Sequence, residues 1–417
     1  MSILNLMKKK NILFVSLAFP PKACPESIQT ARYFHYLKNK IGKIQVITAE
    51  YPSLFMPYDE SLMKYFPSDV SVFNIKRPES KYLNYVIRKT FPALLELPDN
   101  KIHFSFFINN ILKKLKFKPD VLYSRSFPLT SAFIASKIQK KLKIPWVLHL
   151  SDPWSISPIE FRTEYAQKFN EKKEFEFFNQ AHYISFTTQE TKERYVEKFP
   201  EFSEKFVVFP NVYDPADLGF FQDTAKLNDK LVFTYTGGLA NTRSCEPLLK
   251  SLKTLYHSSP GLFDDVIVNF AGSFDRKNKK LINEYGLPFL NNMGLIGNEK
   301  AKEISGLSDI LILIDTHFEN SKDAMFMPSK LLDYLLTGNK ILALTNKGSA
   351  VYKIVNDKFG TCIEHTNIES LINYFNNEIT NFKLQKEKTN YRISSKMLNN
   401  YSADNNSSRL ASLLNSL

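Results

Sequence analysis

A chain of 417 residues is too long for one ordinary hydrophobic core, so two domains of roughly 200 residues are expected. A hydrophobic fraction of 43% and an aromatic fraction of 14% exclude a disordered chain. Lys and Arg outnumber Asp and Glu by 55 to 42, a formal charge of +13, which favours polyanionic partners: nucleic acid, anionic lipid or phosphorylated small molecules.

Read from the N-terminus, "MSILNLMKKKNILFVSLAFPP" has the lysines and apolar run of a signal peptide. The run is short, ends in Pro20-Pro21 and leads straight into folded-looking sequence, so "NILFVSLAF" is expected to be a first buried strand. "SIQTARYFHYLKNK" has helical spacing. "KIQVITA" and "VSVFNI" read as strands, "FSFFINNILKKLK" as a helix, and "DVLYSRS" as a strand. Then follow the helix "LTSAFIASKIQKKLK", the strand "PWVLHLS", a polar and aromatic helix over about 160–180, and the strands "HYISFTT" and "KFVVFPNV". The polar stretch 216–230 reads as a linker.

The alternation restarts with the strand "LVFTYTGG" and continues through "DVIVNFAG", "MGLIG", "DILILID", "KILALT" and "FGTCIEH", with helices between them. Strands alternating with helices predict a parallel sheet in each half. The expected domains are 1–215, with a C-terminal helix 396–417 packing back on it, and 231–395. Only three cysteines occur, Cys24, Cys245 and Cys362, with no Cys-x-x-Cys, which points to a reducing, cytoplasmic compartment. No stretch reaches the roughly 18 apolar residues of a membrane span.

Open α/β sheets bind ligands at the carboxyl ends of their strands, so residues just after strands carry the functional information. Gly237-Gly238 follow "LVFTYT", Arg243 lies in the same loop, and Pro247 suits the first turn of the next helix. This is either a tight turn or an anion-holding loop. In "MPSKLLDYLLTGNKILAL", Pro328 and Ser329 begin a helix and Gly338 stops it. Lys330 and Asp333 share one face. A lysine in a first helical turn opposes the helix dipole, and a bound phosphate would compensate; Asp333 could accept two hydroxyl hydrogen bonds from a ribose. The alternative is a surface Lys–Asp pair.

In the first half, His149 and Asp152 stand at or just past a strand end in "VLHLSDPW". Asp152 is either functional or a helix cap. His149 is either a catalytic imidazole or a satisfied core histidine. Arg32 and Arg125, near strand ends, are candidates for an acceptor phosphate. The aromatic stretch 84–118 also carries Arg88, Lys89, Lys101, Lys113, Lys114, Lys116 and Lys118. It reads either as a surface for an anionic bilayer or as an amphipathic segment with a solvated face.

The stretch "MPSKLLDYLLTGNKILAL" resembles the donor-binding signature of glycosyltransferase family 4 enzymes. "IPWVLHLSDPW", "FPNVYDP", "YTGGL", "NNMGLIGNEKAKEISGLSDILILI" and "YSADNNSSRLASLL" are similar to that family's other landmarks, in order along nearly the whole chain. The resemblance implies the GT-B fold, two Rossmann-like parallel-sheet domains facing across a cleft. It implies sugar transfer from a nucleotide sugar, with retention of configuration, no cofactor and no metal; Asp-x-Asp does not occur in the chain. It places Asp333 on the donor ribose. Lys330 with Ser329, Gly237, Gly238 and Arg243 goes to the diphosphate, and the backbone near Leu295 and Ile296 to the base.

The chain departs from the family pattern at Met325, where many members keep a carboxylate against the sugar; Met325 and Met327 are therefore the expected sugar-facing positions. The glycine pair after the first strand is also missing, replaced by "PPKACPESIQTAR". The acceptor is expected to be a saccharide or a lipid-diphosphate-linked saccharide in bacterial capsule, O-antigen or lipopolysaccharide synthesis. The enzyme would be cytoplasmic, with peripheral contact to the inner face of the cell membrane. Rival readings are a non-hydrolysing nucleotide-sugar epimerase, a nucleotide-sugar sensor without activity, and a basic nucleic-acid-binding protein. The last leaves the Gly-Gly and Lys-Asp features unexplained.

Overall fold

A computed structural model describes residues 8–50, 58–66, 70–76, 80–158, 163–222, 229–240, 242–385 and 395–417. The chain forms two compact units, one of residues 1–214 with 399–417, the other of 215–398.

The first unit holds seven parallel strands: β1 (Ile12–Val15), β2 (Ile44–Ala49), β3 (Ser71–Ile75), β4 (Val121–Ser126), β5 (Trp146–Leu150), β6 (Tyr183–Phe186) and β7 (Phe206–Val208). Their order is β3-β2-β1-β4-β5-β6-β7. The second unit holds β8 (Leu231–Thr236), β9 (Val266–Ala271), β10 (Leu290–Gly294), β11 (Ile310–Ile314), β12 (Lys340–Leu344) and β13 (Gly360–Ile363), ordered β10-β9-β8-β11-β12-β13. All pairings among these strands are parallel. The continuous apolar runs explain this: β1, β11 and most of β12 are buried along their length, as strands covered by helices on both faces must be. Each sheet winds outward in both directions from its first strand. The switch points therefore lie between β1 and β4, and between β8 and β11, where crevices open at the carboxyl ends.

The C-terminal helix Ala403–Ser416 returns to the first unit. Ser407 Oγ donates to the Tyr33 carbonyl at 3.0 Å, and Leu410 and Leu414 join Tyr33, Phe34 and Leu37 in one core.

Three local readings differ. The stretch expected as one helix, "FSFFINNILKKLK", is a 3₁₀ turn, Ile102–Phe107, followed by a short helix, Ile108–Leu112. Its apolar residues are too closely spaced to leave one polar helical face. A helix at Lys81–Thr90 is not among the expected elements, and it buries no side chain fully. The strand expected at "MGLIG" runs earlier, Leu290–Gly294, which leaves Leu295 and Ile296 just past its end.

Candidate active site at the carboxyl end of the second sheet

At the second switch point three chain segments meet. β8 ends in Thr236 and turns through Gly237-Gly238. Gly237 has φ +113°, and its N–H donates to the Ala271 carbonyl at 2.8 Å. β9 ends beside it in Gly272, φ +145°. A Cβ there would stand 2.0 Å from the Gly237 oxygen, so the two turns touch backbone to backbone. Only glycine fits such an approach in that conformation.

The helix Lys330–Thr337 sends its first turn into this junction. Lys330 Nζ donates to Tyr235 Oη at 2.8 Å, and Tyr235 Oη donates to the Gly238 carbonyl at 2.7 Å. The ammonium lies 4.0 Å from the centre of the Tyr235 ring and occupies the space of a Gly237 side chain, since a Cβ there would be 2.7 Å from Nζ. One turn on, Tyr334 Oη receives the Thr236 N–H at 2.8 Å. Lys330 and Tyr334 thus fasten this helix to the end of β8. Gly338 ends the helix at φ +68°.

Charge is concentrated here. Arg243 sits in the loop after Gly238, whose shape is fixed by buried Asn278; Asn278 Nδ2 donates to the Arg243 carbonyl at 3.0 Å and Oδ1 accepts the Cys245 N–H at 3.0 Å. Asp315, directly after β11, is 3% exposed. Its carboxylate accepts the Thr316 N–H at 2.8 Å and the Thr345 hydroxyl at 3.1 Å. Burial and Arg243 hold the Lys330 ammonium well below the usual lysine range, against the pull of Asp315. Burial raises the Asp315 carboxyl, opposed by Arg243. Two basic groups thus act electrostatically on one buried acid. Asp333 lies half-buried one helical position before Tyr334.

Leu295, 64% exposed, and half-buried Ile296 follow β10. Leu295 lines a pocket of about 260 Å³ beyond β9 and β10, with Gly272, Ser273, Phe274, Lys279 and Gly294. Met325 and Met327 are 1% and 7% exposed. The position where the family pattern reserves a carboxylate is here part of the packing before the helix.

In the first unit, Arg125 and His149 are cross-strand neighbours on β4 and β5. Arg125 is fully buried, and its Nε donates to Glu26 at 3.0 Å. His149 is also fully buried; Nδ1 shares a 2.8 Å hydrogen bond with Ser185 Oγ, and Nε2 has no hydrogen-bond partner. Burial and Arg125 keep this imidazole neutral. Arg32 is buried with Nη1 on the Val212 carbonyl at 2.8 Å. Asp152 is exposed on the turn after β5.

That turn is anchored by Trp154 and Ser155. Trp154 Nε1 donates to Asn170 at 2.7 Å, while the Ser155 N–H and hydroxyl both meet buried Glu174. Tyr195 Oη also donates to Glu174. Burial pushes the Glu174 carboxyl up from 4.5 to about 7. A folded-state pKa above the unfolded one favours the protonated fold, so stability is full below pH 4.5 and falls as pH rises from 4.5 to 7. Glu174→Gln, which keeps a donor toward Ser155, is expected to flatten that part of the curve, an effect on the order of 3 kcal/mol. Melting temperature against pH for both proteins checks this; parallel curves would contradict it.

Strand-end reasoning finds Gly237, Gly238, Arg243 and Lys330, and the structure brings these together. It misses Asp315, although that residue directly follows a strand, and Tyr235, Tyr334 and Asn278, which act from inside elements. Among the described residues, no group of three or more His, Cys, Asp or Glu is placed to hold a metal ion.

Residues 66–217 match the family described as Glycosyltransferase Family 4. Similar solved structures include a glycosyltransferase from Rickettsia africae, with 16% identity over 98% of each chain and a TM-score of 0.61. A lipopolysaccharide outer core galactosyltransferase, WaaB, shares 13% identity over 98% of this chain and 100% of its own, TM-score 0.58. A UDP-GlcNAc 2-epimerase from Neisseria meningitidis bound to UDP-GlcNAc shares 14% over 98% and 99%, TM-score 0.54. No curated protein sequence matches the chain. Two parallel-sheet Rossmann-like units and the family match define the class: the chain is a glycosyltransferase of the GT-B fold. It resembles glycosyltransferase family 4, and the matched segment lies almost wholly in the first unit.

Proposed function

We propose that the enzyme moves a sugar from a nucleotide sugar to a saccharide or lipid-linked saccharide in bacterial cell-surface polysaccharide synthesis, with retention and without a metal. The observation that carries the donor half is Lys330, held by Tyr235 over the Gly237-Gly238 turn at the β8–β11 switch point. A diphosphate there would meet Lys330, Arg243 and the free face of the glycine turn. As the sugar leaves, negative charge grows on the diphosphate, and fixed cations in a partly desolvated site stabilise it. Binding the anion would also draw the Lys330 ammonium back toward the usual lysine range, against burial and Arg243. Asp333 would take the ribose hydroxyls, and the pocket beyond β9 and β10, edged by Leu295, would take the base. The donor phosphate itself would accept the acceptor proton, so neither His149 nor Asp152 is required as a base; exposed Asp152 would instead orient an acceptor.

The N. meningitidis epimerase carries a uridine-diphosphate sugar on this fold, which supports the donor class. The WaaB likeness supports the cell-surface setting. An epimerase reading would need imidazoles turned to the sugar, whereas His365 Nε2 is bonded to the Asp315 carbonyl at 3.0 Å and its ring lies against His317. Asp333→Ala is expected to weaken nucleoside-diphosphate binding at least tenfold, losing about 1.5–3 kcal/mol of hydrogen bonds to a charged group. Transfer by the unaltered enzyme should persist in excess chelator. Unchanged binding by Asp333→Ala, or strict dependence on added metal, would overturn the respective assignment.

A further inference from the structure

The segment between β3 and β4 carries a surface that the transfer reaction does not use. Six of the fourteen large hydrophobic side chains exposed on the described surface fall between Tyr82 and Phe106. The helix Lys81–Thr90 has no fully buried side chain and no carboxylate. Tyr82, Tyr85 and Lys89 recur at helical spacing on one face, 79% and 60% exposed for the tyrosines, with Lys81 and Arg88 flanking them. Just beyond the helix, Phe91 is 67% and Leu94 53% exposed. Tyrosine offers an apolar ring and a polar tip, and lysine an apolar stem and a charged head, so this face suits a boundary between hydrocarbon and anionic headgroups. Lys101, grouped with this stretch in the sequence, is only 6% exposed and does not contribute. Among the described residues, no helix is long and apolar enough to cross a membrane, so any contact made by the helix Lys81–Thr90 is interfacial.

The position of this surface is set by hydrogen bonds to Asp99 and Glu96, including one from the Thr163 hydroxyl to the Glu96 carboxylate at 3.2 Å. Asp99 accepts the Thr130 N–H at 2.9 Å and the Thr130 hydroxyl at 2.6 Å, at the start of the helix that follows β4. Asn170 Nδ2 donates to the Glu96 carbonyl at 2.7 Å, while its Oδ1 holds Trp154 after β5. The segment is therefore tied to the carboxyl end of the first sheet, beside the turn that carries Asp152.

We infer that the helix Lys81–Thr90 and the turn through Leu94 form an interfacial docking surface for an anionic bilayer, set at the end of the first unit where a lipid-anchored acceptor would enter. The acceptor's place rests on the proposed function above; the docking surface does not.

The test is co-sedimentation of the full chain with vesicles of three parts phosphatidylcholine to one part phosphatidylglycerol, and with phosphatidylcholine alone. The protein should sediment with the anionic vesicles, less so at high salt. Tyr82→Ser with Tyr85→Ser, and separately Arg88→Gln with Lys89→Gln, should each weaken partitioning roughly tenfold or more. Both pairs are exposed, so the far-ultraviolet spectrum and nucleoside-diphosphate binding should stay as in the unaltered protein. Sedimentation with neither vesicle, equal sedimentation with both, or unchanged partitioning of both double variants would overturn the inference. A loss of nucleotide binding in the unaltered protein would count against the donor reading and leave the docking surface standing.

Discussion

Lys330→Ala is expected to lower kcat/KM for sugar transfer by roughly 10²–10³-fold, the cost of removing one preorganised charge from a transition state that develops negative charge. The fold should tolerate the change. The helix Lys330–Thr337 keeps its second tie to β8 through Tyr334, and its leucines Leu331, Leu332 and Leu335 stay buried. Tyr235 keeps its own acceptor, the Gly238 carbonyl. Removing a lysine whose charge is suppressed by burial and by Arg243 relieves an unfavourable interaction, so the melting temperature should hold or rise slightly. Lys330→Arg should not restore activity. A guanidinium is larger than an ammonium, and the ammonium already fills the space above Gly237. Steady-state kinetics with a melting curve separate this outcome from simple unfolding. Transfer within a few-fold of the unaltered enzyme would show that Lys330 does not meet the leaving group.

Gly272→Ala should damage both stability and activity. The added Cβ would stand 2.0 Å from the Gly237 oxygen and 2.6 Å from its carbon, and φ is +145°. The atoms it would meet are backbone, so no side chain can swing away. Backbone strain of this kind costs about 1–3 kcal/mol, and the forced separation of two turns adds to it. For a unit of this size a loss on the order of 3 kcal/mol lowers the melting temperature by roughly 6–12 °C. Pushing Gly237 away also shifts the surface on which Lys330 rests. Residual activity below the melting transition should therefore fall by more than the unfolded fraction explains. Gly286→Ala is the matching control: it also has positive φ, 55°, but the nearest atom to its Cβ is 4.0 Å away. It should cost only the backbone term.

The alternation of strands and helices was legible because parallel sheets announce themselves as apolar runs separated by amphipathic helices. "DILILID" and "KILALT" admit little else than buried neighbours, and β11 and β12 are such a pair. The glycine turn, Arg243 and Lys330 were legible because each follows a strand or opens a helix. Tyr235 was not: as an aromatic residue inside a buried strand it reads as core, and only its hydroxyl, reaching Gly238 and Lys330, gives it a second role. Asp315 was hidden behind the more conspicuous lysine helix, although its position after β11 is the same signal. His149 shows the reverse. A histidine near a strand end invites a catalytic reading, yet the side chain is enclosed between strands and bonded to Ser185. The helix Lys81–Thr90 is periodic in sequence, with Tyr82, Tyr85 and Lys89 on one face, but the aromatic and basic stretch 84–118 begins inside it, which hides its start.

Calorimetric titration of uridine and guanosine diphosphates, and of their sugar conjugates, into the full chain and into Lys330→Ala tests the central claim most directly. The donor site predicts saturable binding of at least one nucleoside diphosphate, weakened at least tenfold by the substitution. Absence of binding by every nucleotide, or equal affinity in both proteins, would contradict it.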